Sequence, residues 1–226
     1  MKKTVLTLVA VAVVALAIVI VGPVLYKLIA GDGPKTEGIN AGGAPPASTD
    51  RNGTWAVAEK GSGHTSQVGF TFQELLPGSE RTTSGSTNGV TGEFTVADDK
   101  LTAGHVAVDM TTLKSDIEKR DINVRMTIFS TDRYPEATFD VAGPVDLTSV
   151  PDDGSMVRVE VPGRLTIRGV TNDVTVPMDV VRTGDNVLMS GIVRINRLDY
   201  NVRTPDFVAA KVADEGDVNI RLVLEK

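Results

Sequence analysis

Few side chains in this sequence are placed to do chemistry. With no cysteine, thiolate catalysis, iron–sulfur ligation, disulfides and a lipid on an N-terminal cysteine are all excluded. The two histidines, His64 and His105, are too few for a zinc site taking three or four nitrogen or sulfur ligands, so no metal is expected. His64 and Ser66 share one face of a strand and suggest a base beside a nucleophile. No Gly-x-Ser-x-Gly elbow surrounds Ser66, so the pair is read as capping a strand end, with no catalytic residue assigned. His105 alternates with Val106 and Val108 and is expected in solvent. Arg120 and Asp121 are adjacent, and neighbours on a helix do not face one another, so each needs a partner elsewhere. They either tie a helix to the rest of the fold or orient a polar head group. Arg197 follows Ile195 on the inward side of a strand, where it pairs with an acid or meets the same head group.

What positions these residues is a period of two. The longest alternation sets Val157, Val159, Val161, Gly163, Leu165 and Ile167 on one side, with Arg158, Glu160, Arg164, Thr166 and Arg168 among those opposite. Only a long strand half-exposed to water explains it. The same rule gives strands around Trp55 and Val57, Val68 to Phe72, Val90 to Val96, Val106 to Met110, and Phe139 with Val141. Further strands follow over Val174 to Val180, Val187 to Ile195 and Val218 to Leu224. Eight or nine strands must cover their apolar sides, and strands this long predict an all-β, closed antiparallel barrel. Inward glycines at 92, 163 and 191 are expected to leave interior room. Pro77 to Gly89, rich in Ser, Thr and Gly, reads as a long hairpin loop. Lys114 to Ser130 breaks the pattern: Ile117, Val124 and Ile128 make a helical stripe, a short inserted helix expected to cap or line one mouth.

The side chains assigned to the interior are almost uncharged, and the chain has only ten aromatics, too few for a sugar site built on stacking rings. Val68, Phe70, Phe72 and Phe94 are expected to line the pore from the first strands. Val108, Met110, Phe129 and Phe139 follow, then Leu165, Ile167, Met178, Met189 and Gly191. A barrel of about eight strands either fills with its own side chains or holds one small ligand, and both outcomes stay open.

Residues 4–26 are 23 consecutive positions without a charge, about 34 Å as a helix, enough to cross a bilayer core of about 30 Å. Lys2 and Lys3 precede the run, which places the N-terminus in the cytoplasm and the rest of the chain outside a cytoplasmic membrane. A cleaved signal peptide is the competing reading, but its apolar region should be shorter and end in a small-x-small site. The expected division is an anchor over 1–30, a flexible Gly- and Pro-rich linker over 31–53 and a barrel over 54–226. Without residues 1–30, twenty basic residues face 29 acidic, a net charge of −9, which excludes nucleic acid as a partner.

Five segments, in order, resemble the YceI-like family. They are His64-Thr65-Ser66-Gln67-Val68-Gly69-Phe70, Lys119-Arg120-Asp121, and Arg133-Tyr134-Pro135-Glu136-Ala137-Thr138-Phe139. The fourth is Gly163-Arg164-Leu165-Thr166-Ile167-Arg168-Gly169-Val170-Thr171 with Val174-Thr175-Val176, and the last Ile195-Asn196-Arg197-Leu198-Asp199-Tyr200. The resemblance spans Thr54 to Lys226. It implies a lipocalin-like antiparallel barrel whose pore binds a polyisoprenoid lipid, such as a quinone tail or a related long-chain amphiphile, in a bacterial, exported protein. The sequence departs from the family in its membrane helix, in Tyr200-Asn201 where Phe-Gly is frequent, and in the Ser/Thr-rich stretch at 77–89. The expected function is therefore a membrane-tethered, extracytoplasmic, non-enzymatic lipid-binding protein with no cofactor beyond a bound isoprenoid lipid or quinone. A ligand-free structural or adaptor barrel serving a protein partner is the alternative, and a hydrolase using His64 or carboxylates a third reading.

Overall fold

The computed structural model describes residues 33–76, 79–204 and 211–226. The expected membrane-spanning run 4–26 lies outside them, and among the described residues no helix is long and apolar enough to cross a membrane. Strand β1 (Gly53–Ala58) is followed by a small hairpin, β2 (Lys60–Gly61) and β3 (His64–Thr65), and then by a second hairpin, β4 (Gln67–Leu76) and β5 (Ser79–Thr87). Next come β6 (Val90–Ala97), β7 (Lys100–Asp109), helix α1 (Glu118–Asn123), β8 (Glu136–Val141) and the short β9 (Val145–Asp146). The long strands β10 (Val157–Ile167), β11 (Val170–Thr183), β12 (Asn186–Asn196) and β13 (Lys211–Glu225) complete the fold.

Eight of these strands close a ring in the order β1-β6-β7-β8-β10-β11-β12-β13, with β13 returning to β1, all antiparallel. Strand β13 meets two partners in succession: β4 along Lys211–Arg221 and β1 along Val223–Glu225. Strands β1 and β4 thus share one side of β13, with the β2–β3 hairpin as an excursion between them. One end of the barrel gathers the end of β4, helix α1, the β10–β11 turn and a 3-10 turn over Arg197–Tyr200; this is the helix end. The far end carries the β6–β7 and β11–β12 turns and the C-terminus, where the Lys226 ammonium donates to the Asn52 carbonyl at 2.8 Å.

Three expectations are corrected. Over Ser79–Thr87 the stretch 77–89 is not a loop but strand β5, paired with β4 from Val68↔Thr87 to Leu76↔Ser79. Its inward residues, opposite Phe72, Phe70 and Val68, are Thr83, Gly85 and Thr87. No apolar side chain marks that face, so a two-residue hydrophobic period has nothing to register. The helical segment is shorter than Lys114–Ser130. It winds as α1 and then as a wider π turn over Val124–Phe129, ends on Ser130 at φ 51°, and leaves Lys114 bridged to Ser86 of β5. Met110 lies not in a strand but in a 3-10 turn directly after β7, still buried.

The expected linker is a strap over 33–52. Gly33 lies against the Ser84 carbonyl and Asp116, and the Ile39 amide donates to Ser190 Oγ at 3.3 Å. The Asn40 amide donates to His64 Nε2 at 3.2 Å, and Ala47 bridges to Gly184 at the far end. Ile39, Ala41 and Ala44 pack on Ala58, Val181, Leu188 and Val223, a second apolar cluster on the outside of the barrel. Burying that cluster offsets the chain entropy that Gly and Pro composition otherwise leaves free.

Candidate functional site

The inward residues of the ring, with Val68 and Phe70 of β4 and Met110, Leu113 and Phe129 from the segments around the helix, enclose a cavity of about 110 Å³. Its walls come from paired positions: Val161 faces Val176 across β10 and β11, and Val108 faces Ala137 across β7 and β8. Of the residues around it, Thr138 alone has a polar side chain. Eleven of the expected pore residues border this space: Val68, Phe70, Phe94, Val108, Met110 and Phe129, and beyond them Phe139, Leu165, Ile167, Met178 and Met189. Leu113, Val193, Val218, Ile220 and Leu222 line it too, and the two-residue alternation places all but Leu113 in strands.

Two assigned residues do not border it. Phe72 is turned against Gly216, beside the irregularity in β13 between Val212 and Gly216, and its ring lies tilted at 55° to that of Phe70, 6.1 Å between centroids. Gly191 points inward but is covered by Met178. The inward glycines in general leave no room. The Phe139 ring occupies the space beside Gly163, and backbone of β7 lies against Gly92.

A smaller chamber of about 60 Å³ continues toward the far end. Phe94, Val161 and Met189 border both spaces and form the partition between them. The lower chamber stops at Arg51 and Arg182. Arg182 is 4% exposed and donates to Asp152 and to the Thr49 carbonyl. Arg51 donates to the Leu147 carbonyl at 2.8 Å and pairs with Asp152 at 3.0 Å and Asp99 at 3.4 Å. These cations are spent on carboxylates and carbonyls, and they close the far end.

The polar candidates resolve into separate places. Ser66 is fully buried; its hydroxyl donates to the Ala58 carbonyl at 2.6 Å and accepts from the Val223 amide at 2.9 Å. His64 Nδ1 bonds the Ser62 carbonyl, so its two ring nitrogens hold the hairpin and the strap. Both residues fasten strand ends. His105 is exposed and meets Asp140 at 2.8 Å, its register partner on β8.

Arg120 donates to Asp116 at 2.7 Å and Thr83 at 3.2 Å, joining α1 to β5, while Asp121 accepts from the amide and hydroxyl of Ser115. Around Arg120, Arg81 approaches Asp116 at 3.5 Å and Glu74 at 4.0 Å, all on the inward side of the β4–β5 hairpin or beside it. The i,i+4 spacing of Asp116 and Arg120 was visible in the sequence; the Glu74↔Arg81 pairing needed the hairpin register. Arg197 begins the 3-10 turn instead of ending β12. It donates to the carbonyls of Ala213 and Val202 and pairs with Asp214 at 2.7 Å, the acid-paired alternative. Asn201 takes the left-handed conformation at φ 55°, which preserves the turn without glycine. Tyr200, buried beside this turn, has its phenol pKa pushed up by burial and by the Asp199 carboxylate, against a lowering hydrogen bond with Asn172.

An antiparallel eight-stranded barrel around an apolar hollow, capped by one short helix, defines the class of this domain. The chain belongs to the YceI-like family, whose YceI-like domain matches residues 60–224. Its fold is similar to the crystal structure of Burkholderia cenocepacia BcnA at 24% identity and TM-score 0.55, over 70% of this chain and 95% of that one. It is also similar to a polyisoprenoid binding domain from Saccharophagus degradans implicated in plant cell wall breakdown. That likeness has 17% identity and TM-score 0.57 over 76% of this chain and 97% of that one. A Campylobacter jejuni YCEI protein mutant aligns at 15% identity and TM-score 0.50, over 63% and 84%. Comparison with curated proteins gave no match.

Proposed function

We propose that this protein binds an isoprenoid-type lipid, its tail in the apolar cavity. We further propose that residues 4–26 hold the barrel on the outer face of a cytoplasmic membrane. The observation that carries the reading is the character of the hollow: a closed ring of strands surrounds open space with apolar walls, which no polar substrate would choose over water. Membership of the YceI-like family and the polyisoprenoid binding of the Saccharophagus neighbour support the same ligand class.

The energetics suit a hydrocarbon. A tail burying about 500 Å² at roughly 25 cal/mol per Å² gains about 12 kcal/mol before association costs, without any ionic contact. The open space is of the size that takes a small apolar group, since a dry cavity of about 150 Å³ accepts benzene. A longer tail therefore enters by displacing wall side chains. Met110, Met178 and Met189 stand around the cavity and are unbranched, so they withdraw at low cost. The partition at Phe94, Val161 and Met189 opens onto the lower chamber when Met189 moves.

The test is extraction. Full-length protein purified from its native membrane in mild detergent is treated with organic solvent and the extract analysed by mass spectrometry. A prenyl-bearing lipid in near-stoichiometric amount is expected. Protein that carries no hydrocarbon above a mock purification overturns the reading and leaves a ligand-free barrel serving a protein partner.

A further inference from the structure

Helix α1 and the π turn after it carry apolar residues on two sides, the outward one shared with exposed Glu118, Asn123 and Thr127. Val124 is buried and Phe129 borders the cavity, yet Ile122 and Met126, four residues apart on the outward side, are 52% and 55% exposed. The same end of the barrel exposes Leu75 near the end of β4 and Leu198 in the 3-10 turn, so four of the six exposed large apolar side chains among the described residues gather at the helix end. The far end exposes one such side chain, Met156, directly before β10. Exposed acids stand at both ends, Asp98, Asp146, Asp153 and Asp185 at the far one and Glu118, Asp132 and Asp199 at the helix end, so the apolar side chains and not the charges set the two apart.

The course of the strap says what covers the apolar end. Gly33, the first described residue, lies against Ser84 and Asp116, the latter two residues before α1, and the strap then runs to Gly184 and Lys226 at the far end. The chain preceding Gly33 therefore departs from the side of the barrel that carries the helix. Only residues 27–32 separate the apolar run from Gly33, a reach of at most about 24 Å even fully extended.

We infer that the helix end docks on the bilayer that receives residues 4–26, with Ile122 and Met126 seated in the interface; this rests on the tethering proposed above. An interfacial helix buries its apolar side about 5–10 Å below the head groups. Phe129, on the other side of the same turn, then stands between membrane hydrocarbon and the cavity. A prenyl tail passes from bilayer to barrel past α1 without crossing bulk water, and the far end faces away.

The cysteine-free sequence makes the orientation measurable. Full-length Met126→Cys and Asp153→Cys, each carrying a bimane label, are reconstituted into vesicles of phosphatidylcholine and phosphatidylglycerol, with and without nitroxide-bearing lipid. Flotation with the vesicles is recorded first. Co-flotation, with quenching at position 126 about threefold or more above that at position 153, is the expected result. Co-flotation with equal quenching, or with the order reversed, leaves the tether standing and overturns the docking. Failure to float overturns the tether and the docking together. A second variant, Ile122→Asp with Met126→Asp, should float normally while the label at position 153 stays unquenched and lipid transfer into the barrel slows at least about tenfold. Unchanged transfer overturns the route past α1.

Discussion

Gly191 faces Met178 across the pairing of β11 with β12, and a Cβ built on Gly191 would come within 2.5 Å of the Met178 sulfur and 2.8 Å of the Pro177 carbonyl oxygen. The glycine thus lets Met178 lie across the wall of the cavity. Gly191→Ala is expected to destabilise the barrel by about 1–3 kcal/mol, the usual penalty for overpacking, as read from urea unfolding. Because the strain falls largely on a flexible side chain, Gly191→Ala combined with Met178→Ala should cost less than the sum of the two single changes by about 1 kcal/mol. Strict additivity would mean that the Pro177 backbone, and not Met178, is what the new methyl meets.

The strands were legible where one face alone is apolar. Val157 to Ile167 alternates without a fault and is β10, and the residues it turns inward border the cavity or pack in the core around it. Strand β5 was not, because Thr83, Gly85 and Thr87 turn inward where an apolar residue would announce a core. The strap was hidden for a different reason. Its composition is that of a coil, and its docking surface is made elsewhere in the chain. A trace existed nevertheless: the alternation lapses into Val180-Val181, Leu188-Met189 and Leu222-Val223-Leu224, and consecutive apolar residues on a strand imply that both faces are covered. Phe72 shows the limit of parity. It points inward like Phe70, but the bulged course of β13 brings Gly216 under its ring and draws it off the cavity.

Ala137 separates occupancy from packing. It is buried, borders the cavity and faces Val108. The three carbons that Ala137→Leu adds enter space that is already open, so stability should rise by about 1 kcal/mol, below the roughly 0.8 kcal/mol per methylene of full burial because the fit is imperfect. The lipid recovered by extraction should fall at least about tenfold, since leucine takes the room of the tail. A variant that loses stability while retaining its lipid would show that the open space does not adjoin Ala137.

Arg197 anchors the helix end from below. Its guanidinium reaches three carbonyls, of Ala213, Val202 and Val212, and the Asp214 carboxylate, so it spans the 3-10 turn and the start of β13. Arg197→Ala leaves these acceptors without a donor in a buried place and should cost about 3 kcal/mol in urea unfolding. Arg197→Lys should recover less than half of that, because a single ammonium cannot replace a planar fork with donors in three directions. Full rescue by lysine would reduce the role of Arg197 to its charge opposite Asp214.

Tyr200 supplies a pH dependence whose sign is fixed by its surroundings. Burial is the main cause of its raised phenol pKa, and Asp199 adds to it. The folded protein therefore keeps the phenolic proton at a pH where the unfolded chain, at the ordinary value of about 10, has already released it. The contribution of Tyr200 is whole below about pH 10 and is lost as pH climbs toward and through the folded pKa, so stability should decline on the alkaline side. Tyr200→Phe has no proton to release, and its urea midpoint should fall less than that of the parent between about pH 9 and pH 11. The difference between the two curves isolates this residue from the lysines that titrate in the same range. Parallel decline in parent and variant would mean that the Tyr200 hydroxyl reaches water in the folded barrel.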